Sequence, residues 1–293
     1  MARSAVIPLA PHWASPDVGG SKSVFVNQQN ATGMGSDSQL LAGAMSVLVV
    51  IPARFQSTRF PRKPLADLGG SPLIQHVWRR CCQEVDAAAV VIATDDAQIS
   101  EVATAFGANV EMTSPECPTG TDRVAEVASR HPVDWCVNVH GDEPFVEPAA
   151  IQTVIEATKN AAIDVAAINT MSAISDDSDF RSVTVPKPVT DPSGRLLYTS
   201  WAAIPTDKHL SFHAAFRQVG LDASRPFALA YYSRTGVKSP LTSKQGIEVL
   251  RVVEAGLRVQ MVEVPASGIA VDTPEDLKRA AHLVVRMSDK PAV

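Results

Sequence analysis

An apolar run ends in a glycine and two carboxylates in Val137-Asn138-Val139-His140-Gly141-Asp142-Glu143-Pro144. Asp142 at a strand terminus suits Mg²⁺, which prefers oxygen ligands and keeps several waters. The positive N-terminal end of a following helix explains the same acids equally well. A second carboxylate lies in Gly268-Ile269-Ala270-Val271-Asp272-Thr273-Pro274-Glu275. Asp272 reads most simply as the N-cap of the last helix. Facing Asp142, it would instead complete a metal site for phosphoryl chemistry.

The counter-charge is concentrated near the first strand. Val47–Leu65 begins as an apolar run and then carries Arg54, Arg59, Arg62 and Lys63, with Gln56, Ser57 and Thr58 between them and no acid before Asp67. Such a loop can wrap a polyphosphate, although neither G-x-x-x-x-G-K-[ST] nor G-x-G-x-x-G is present. A charge run alone favours a solvated surface; a place at the carboxyl edge of a sheet favours a ligand. Gly120-Thr121-Asp122-Arg123 opens a helix that would bind an anion or read a base edge, or is simply capped. His76, His131, His209 and His213 show no ligand or triad spacing, and Ser57 and Ser200 lack a G-x-S-x-G elbow.

The elements that must hold these residues alternate. Val47–Ile51, Val90–Ala93, Cys136–Val139 and Val165–Ile168 are nearly continuous apolar runs, as expected of parallel strands covered on both faces. Between them, Ser71-Pro72 predicts an N-cap and N1 proline for a helix over Leu73–Cys82. Thr121 precedes a helix over Asp122–Ala128, and Glu147-Pro148 opens one through Ala157. The pattern predicts an α/β fold with a doubly wound, mostly parallel sheet. Residues 175–245 break it with strand-like Ser182–Val189, Leu196–Thr199 and Phe227–Ser233, a β-rich inserted portion. Alternation returns with Ile247–Ala255, Arg258–Val264 and the helix at Thr273-Pro274-Glu275-Asp276.

The 293 residues carry 31 acids against 26 bases, a net charge of −5, which argues against broad nucleic-acid binding. Cys81, Cys82, Cys117 and Cys136 have neither zinc spacing nor a disulfide pattern and read as free thiols of a reducing cytosol. The sequence contains no apolar run of about 18 residues, so no membrane span is expected. Residues 1–45 lack periodicity and are expected to be disordered, with Met45 a candidate start that the intact mass of native protein would decide. A single domain is expected over 46–287, with a short tail at 288–293.

IPARFQSTRFPRKPL, IATDD, GTDRVAEVA, VNVHGDEPFV, SPLTSKQGIEVLR and VDTPEDL, in this order from Ser46 to about Ala281, resemble the 3-deoxy-manno-octulosonate (Kdo) cytidylyltransferase family, also called CMP-Kdo synthetases. The resemblance implies a nucleotide-diphospho-sugar transferase-like fold and a homodimeric, Mg²⁺-dependent enzyme using CTP and an acidic sugar. It places Ala53, Arg54, Ser57, Arg59, Lys63, Thr94, Gly120, Thr121 and Arg123 around the nucleotide. Among these, Arg54, Arg59 and Lys63, with Asp142, would be catalytic. Asp142 and Asp272 would hold the metal. His140, Trp201, Phe227, Tyr231, Gln245 and Glu248 fall on the acceptor side, and residues 175–245 are expected to serve the acceptor and the dimer.

Several acceptor positions depart from the family pattern. His140 stands where the family usually has Gln, Trp201 for Arg, Phe227 for His, Gln245 for Glu and Val249 for Gln. Exchanging Arg for Trp removes a bidentate carboxylate partner. Transfer of CMP from CTP is therefore expected to be retained with a modified or different acidic sugar as acceptor, the alternatives being another nucleotidyltransferase with a different nucleotide or acidic acceptor, or a nucleotide-binding homologue without turnover.

Overall fold

The computed structural model describes residues 45–55, 60–235, 240–266 and 268–288. The disorder expected of the N-terminal extension, the terminal tail after 288, and the roles expected of Ser57 and Arg59 lie outside the described residues.

The first half alternates as the apolar runs predict: β1 (Val47–Ala53), α1 (Leu73–Cys81), β2 (Val90–Thr94), α2 (Ala97–Ala105), β3 (Asn109–Met112), α3 (Gly120–Ala128), β4 (Trp135–Val139) and α4 (Pro148–Asn160). There follow β5 (Val165–Ala173), α5 (Asp177–Arg181), β6 (Lys187–Thr190), β7 (Leu196–Ser200), β8 (Phe216–Ser224), α6 (Pro226–Thr235), α7 (Pro240–Gln245), α8 (Leu250–Glu254), β9 (Arg258–Glu263) and α9 (Pro274–Ser288). Seven strands form one sheet in the order β3-β2-β1-β4-β8-β5-β9. All neighbours are parallel except β8, which runs antiparallel to both β4 and β5. Alternate β1 residues feed two cores: Val49 and Ile51 pack with Trp135 and Val137, while Leu48 and Val50 pack with Val124 and Cys136. Burial on both faces is why these strands read as unbroken apolar runs.

Several expectations need correction. Phe227–Ser233 is not a strand but the body of α6. Pro226 tolerates a first helical turn, and Ala228, Leu229 and Tyr232 bury a helical face. The strand in this region is β8 instead. Its buried Val219, Leu221 and Ala223 alternate with Gln218, Gly220 and Asp222, the period of an antiparallel strand. The expected strand over Ser182–Val189 shortens to β6, which pairs with β7 in a two-stranded ribbon. There Lys187 is buried, and its Nζ donates to the carbonyls of Ser182, Val185 and Trp201 at 2.7, 2.7 and 2.8 Å.

Helix starts also shift. Thr119 caps α3, its Oγ1 accepting from Asp122 N, so the helix begins one residue before Thr121. Ser71 caps nothing, because Pro72 occupies the cap position of α1. The helix opened by Pro148 runs on to Asn160, with neither Gly nor Pro to stop it at Ala157. Within Ile247–Ala255, where alternation is expected to return, the helix is α8.

Candidate active site

The strand order reverses between β1 and β4, and at such a switch point an open α/β sheet forms a crevice beyond the carboxyl ends of its strands. The carboxyl ends of both strands line that cleft: Pro52 and Ala53 at the end of β1 with Arg54 just past it, and His140, Gly141 and Asp142 after β4. Lys63, Gly120, Thr121 and Asp272 complete it. Gly141 is required here, because a Cβ would lie 2.7 Å from the Pro52 carbonyl oxygen, an atom of the neighbouring strand's backbone. Gly141→Ala is expected to push the two strand ends apart and displace Asp142. A shift near 1 Å lowers turnover by about 10²-fold, so turnover should fall further than the melting temperature, which parallel kinetics and thermal unfolding would establish.

Asp142 and Asp272 do meet. Lys63 Nζ donates to Asp142 Oδ2 at 2.7 Å and to Asp272 Oδ1 at 3.2 Å. The capping role read for Asp272 belongs to its neighbours instead. Thr273 Oγ1 accepts from Asp276 N, and Asp276 Oδ2 accepts from Thr273 N at 2.9 Å, a reciprocal box. Burial pushes the Asp142 carboxyl upward, but the Lys63 ammonium and His140 outweigh it and hold it below the ordinary value.

A second cleft adjoins the first, and Thr121, His140 and Glu248 line both. Its walls include Asn169, Trp201, Gln218, Asp222, Ser224 and Tyr232. Removal from water disfavours the His140 imidazolium, yet the carboxylates of Asp142, Asp222, Glu143 and Glu248 prevail and raise its pKa. Asp222 accepts from Asn138 Nδ2 at 2.9 Å and lies 3.9 Å from His140 Nε2. Burial pushes its pKa up to about 6; His140 and Asn138 oppose this, and Glu248 adds to it. Thr121 Oγ1 donates to Glu248, tying α3 to the segment before α8.

Not every expected residue reaches these clefts. Arg123 is fully buried, pairing with Asp95 at 3.1 Å and donating to Thr113, so it braces α3 against β2 and lines neither cleft. Thr94 is buried at the end of β2, where its Oγ1 accepts from Asp96 N. Phe227 lines a groove with Cys117, Pro118 and Glu126 on another face. Tyr231 lines neither cleft; Tyr232, one residue on, lines the second. Gln245 acts from behind, its carbonyl accepting from the Trp201 indole N–H. Asn138, Asp222 and Gln218 are cleft residues that sequence reasoning missed. The one signal for Asp222 was a charge within the alternating pattern of β8.

The doubly wound sheet, with its cleft at the β1/β4 switch point and two convergent carboxylates, defines a nucleotidyltransferase-type α/β protein. A cytidylyltransferase family model matches residues 48–259. A 3-deoxy-manno-octulosonate cytidylyltransferase of Geobacter metallireducens is 40% identical over 254 residues, covering 83% of this chain and 99% of that one. The enzyme of the same name from Solibacter usitatus is 40% identical over 238 residues, covering 81% and 94%. The solved structure of CMP:2-keto-3-deoxy-manno-octonic acid synthetase complexed with CTP superposes with a TM-score of 0.77 at 32% identity, covering 83% of this chain and 99% of that one. The chain belongs to the cytidylyltransferase family.

Proposed function

We propose that this chain transfers CMP from CTP to a Kdo-like sugar acid and releases pyrophosphate. The observation that carries the reading is the meeting of Asp142, Asp272 and Lys63 in a cleft that opens, past His140, into a second one. The nucleotide lies in the first cleft, its triphosphate along Arg54 and Lys63, with Ser57 and Arg59 expected to join. The acceptor lies in the second. Its anomeric hydroxyl oxygen bonds to the α-phosphorus, the bond from that phosphorus to the oxygen bridging to the β-phosphate breaks, pyrophosphate leaves with that oxygen, and the hydroxyl proton passes to solvent. Positioning and charge neutralisation account for most of the catalysis in such transfers.

The residues present suit Mg²⁺. Two carboxylates converge on the Lys63 ammonium, which marks a cation seat between them. Among the described residues no group of three metal-ligating side chains forms, so water and phosphate would supply the remaining oxygens. When bound, the metal supplies Lewis-acid neutralisation of the phosphates. Asp142 and Asp272 hold that seat, Lys63 neutralises phosphate charge, and His140 stands at the junction where acceptor and nucleotide meet. A homodimer is proposed with the 175–245 portion in its interface, supported by the exposed Val183, Leu197 and Leu210. A cytoplasmic location is part of the proposal, supported by the four cysteines, all of them free thiols.

One observation favours an amino-substituted acceptor over Kdo itself. Asp222 and Glu248 line the second cleft, where His140 is the one basic side chain among the described lining residues, so an amine on the acceptor finds a carboxylate partner that a purely anionic acid cannot use. Pyrophosphate release from CTP and Mg²⁺ with Kdo, an amino-substituted Kdo and a sialic acid tests both points. CTP should be preferred over UTP, ATP and GTP, and the amino acid sugar over Kdo. Comparable turnover with Kdo would overturn the acceptor preference, and silence with every acid would overturn the transferase reading.

A further inference from the structure

We infer that Lys63 is a tethered counter-ion that occupies the metal seat in the nucleotide-free protein, so that metal affinity depends on the nucleotide drawing Lys63 away. This rests on the metal role proposed for Asp142 and Asp272. One ammonium spans both carboxylates, 2.7 Å from Asp142 and 3.2 Å from Asp272. Without it, two acids brought together at the mouth of a cleft would repel each other. The local structure holds the lysine in place. Arg62, before it, adopts a left-handed conformation at φ 61°, and Pro64, after it, is buried. The Lys63 side chain itself is only 15% exposed.

The seat cannot hold both cations. An ammonium within hydrogen-bond distance of both carboxylates leaves no room for a metal, whose bonds to oxygen run near 2.1 Å. A divalent ion entering the nucleotide-free site must therefore displace an ion pair that is already satisfied. A triphosphate changes this balance, because its oxygens offer Lys63 an alternative anion in the same cleft, and the two carboxylates are released together. Metal and nucleotide then bind with positive coupling, each favouring the state in which Lys63 has left the carboxylates. The device keeps the carboxylates paired and neutralised while the site waits for substrate.

The test uses Mn²⁺ alone, without nucleotide, read by the electron paramagnetic resonance signal of the free ion. Wild-type protein should bind it weakly. Lys63→Met and Lys63→Gln should each bind it at least about 10-fold more tightly, which corresponds to about 1.4 kcal/mol. Adding Asp142→Asn to either variant should abolish the gain. Thermal unfolding should show the same order, with Mn²⁺ raising the melting temperature of the Lys63 variants more than that of wild type. Equal or weaker Mn²⁺ binding by both folded Lys63 variants would overturn the inference while leaving the metal site intact. If the Lys63 variants bind more tightly and Asp142→Asn leaves that binding unchanged, the metal sits elsewhere, and both the inference and the metal assignment fall.

Discussion

Asp142→Asn is expected to lower CTP-dependent turnover by about 10³-fold, the equivalent of about 4 kcal/mol of transition-state stabilisation. Asn keeps the size and one oxygen of the side chain but loses the charge. The carboxylate pair then becomes a single carboxylate, Asp272, whose side chain is 44% exposed. Loss of one charged ligand at a phosphoryl site is worth several kcal/mol. Folding should survive, because Lys63 retains Asp272 as an ion-pair partner. The deficit should appear in kcat, with KM for CTP changed less, since the phosphate contacts proposed for Arg54 and Lys63 are left in place. Steady-state pyrophosphate release together with a melting curve separates these effects. Full turnover in the variant would remove Asp142 from the metal site.

Asp222→Asn should stabilise the protein above neutral pH and change the shape of its pH–stability curve. The folded-state pKa of Asp222 is pushed up to about 6, above the unfolded value near 3.9. Below about pH 4 the carboxyl is protonated in both states, so nothing is lost. Between about pH 4 and 6 the unfolded chain releases its proton while the folded protein retains it, and stability falls as pH rises. Above about pH 6 the penalty is constant at about 3 kcal/mol. Asn removes the titration and still accepts from Asn138 Nδ2. Denaturant midpoints of the two proteins should therefore be close at pH 4 and diverge by pH 7.5 in favour of the variant. A difference that does not change with pH would show that Asp222 titrates normally. The same variant should lose acceptor affinity, because its carboxylate faces the second cleft.

Strands β1, β2, β4 and β5 were legible because burial on both faces writes itself as a continuous apolar run. The start of α4 was legible because Pro148 marks it. Asp142 could be placed at the ligand edge for the same local reason: it follows the end of a buried strand. Other features depend on which segments meet. A run such as Phe227-Ala228-Leu229-Ala230-Tyr231-Tyr232 suits a strand or a helix by composition, and only packing of its buried face made it α6. The antiparallel entry of β8 between β4 and β5, which brings Asp222 beside Asn138, has no local signature. Arg123 carries the charge of a ligand-binding residue, but its position in the fold directs it at Asp95. Asp272 read alone is a helix cap; the Thr273–Asp276 box took over that role, and the backbone hydrogen bond from Val271 N to the Asp142 carbonyl brings the Asp272 carboxylate beside Lys63. The residue types that can do the chemistry are local and could be read along the chain, whereas their convergence depends on distant segments meeting, which only the folded sheet decides.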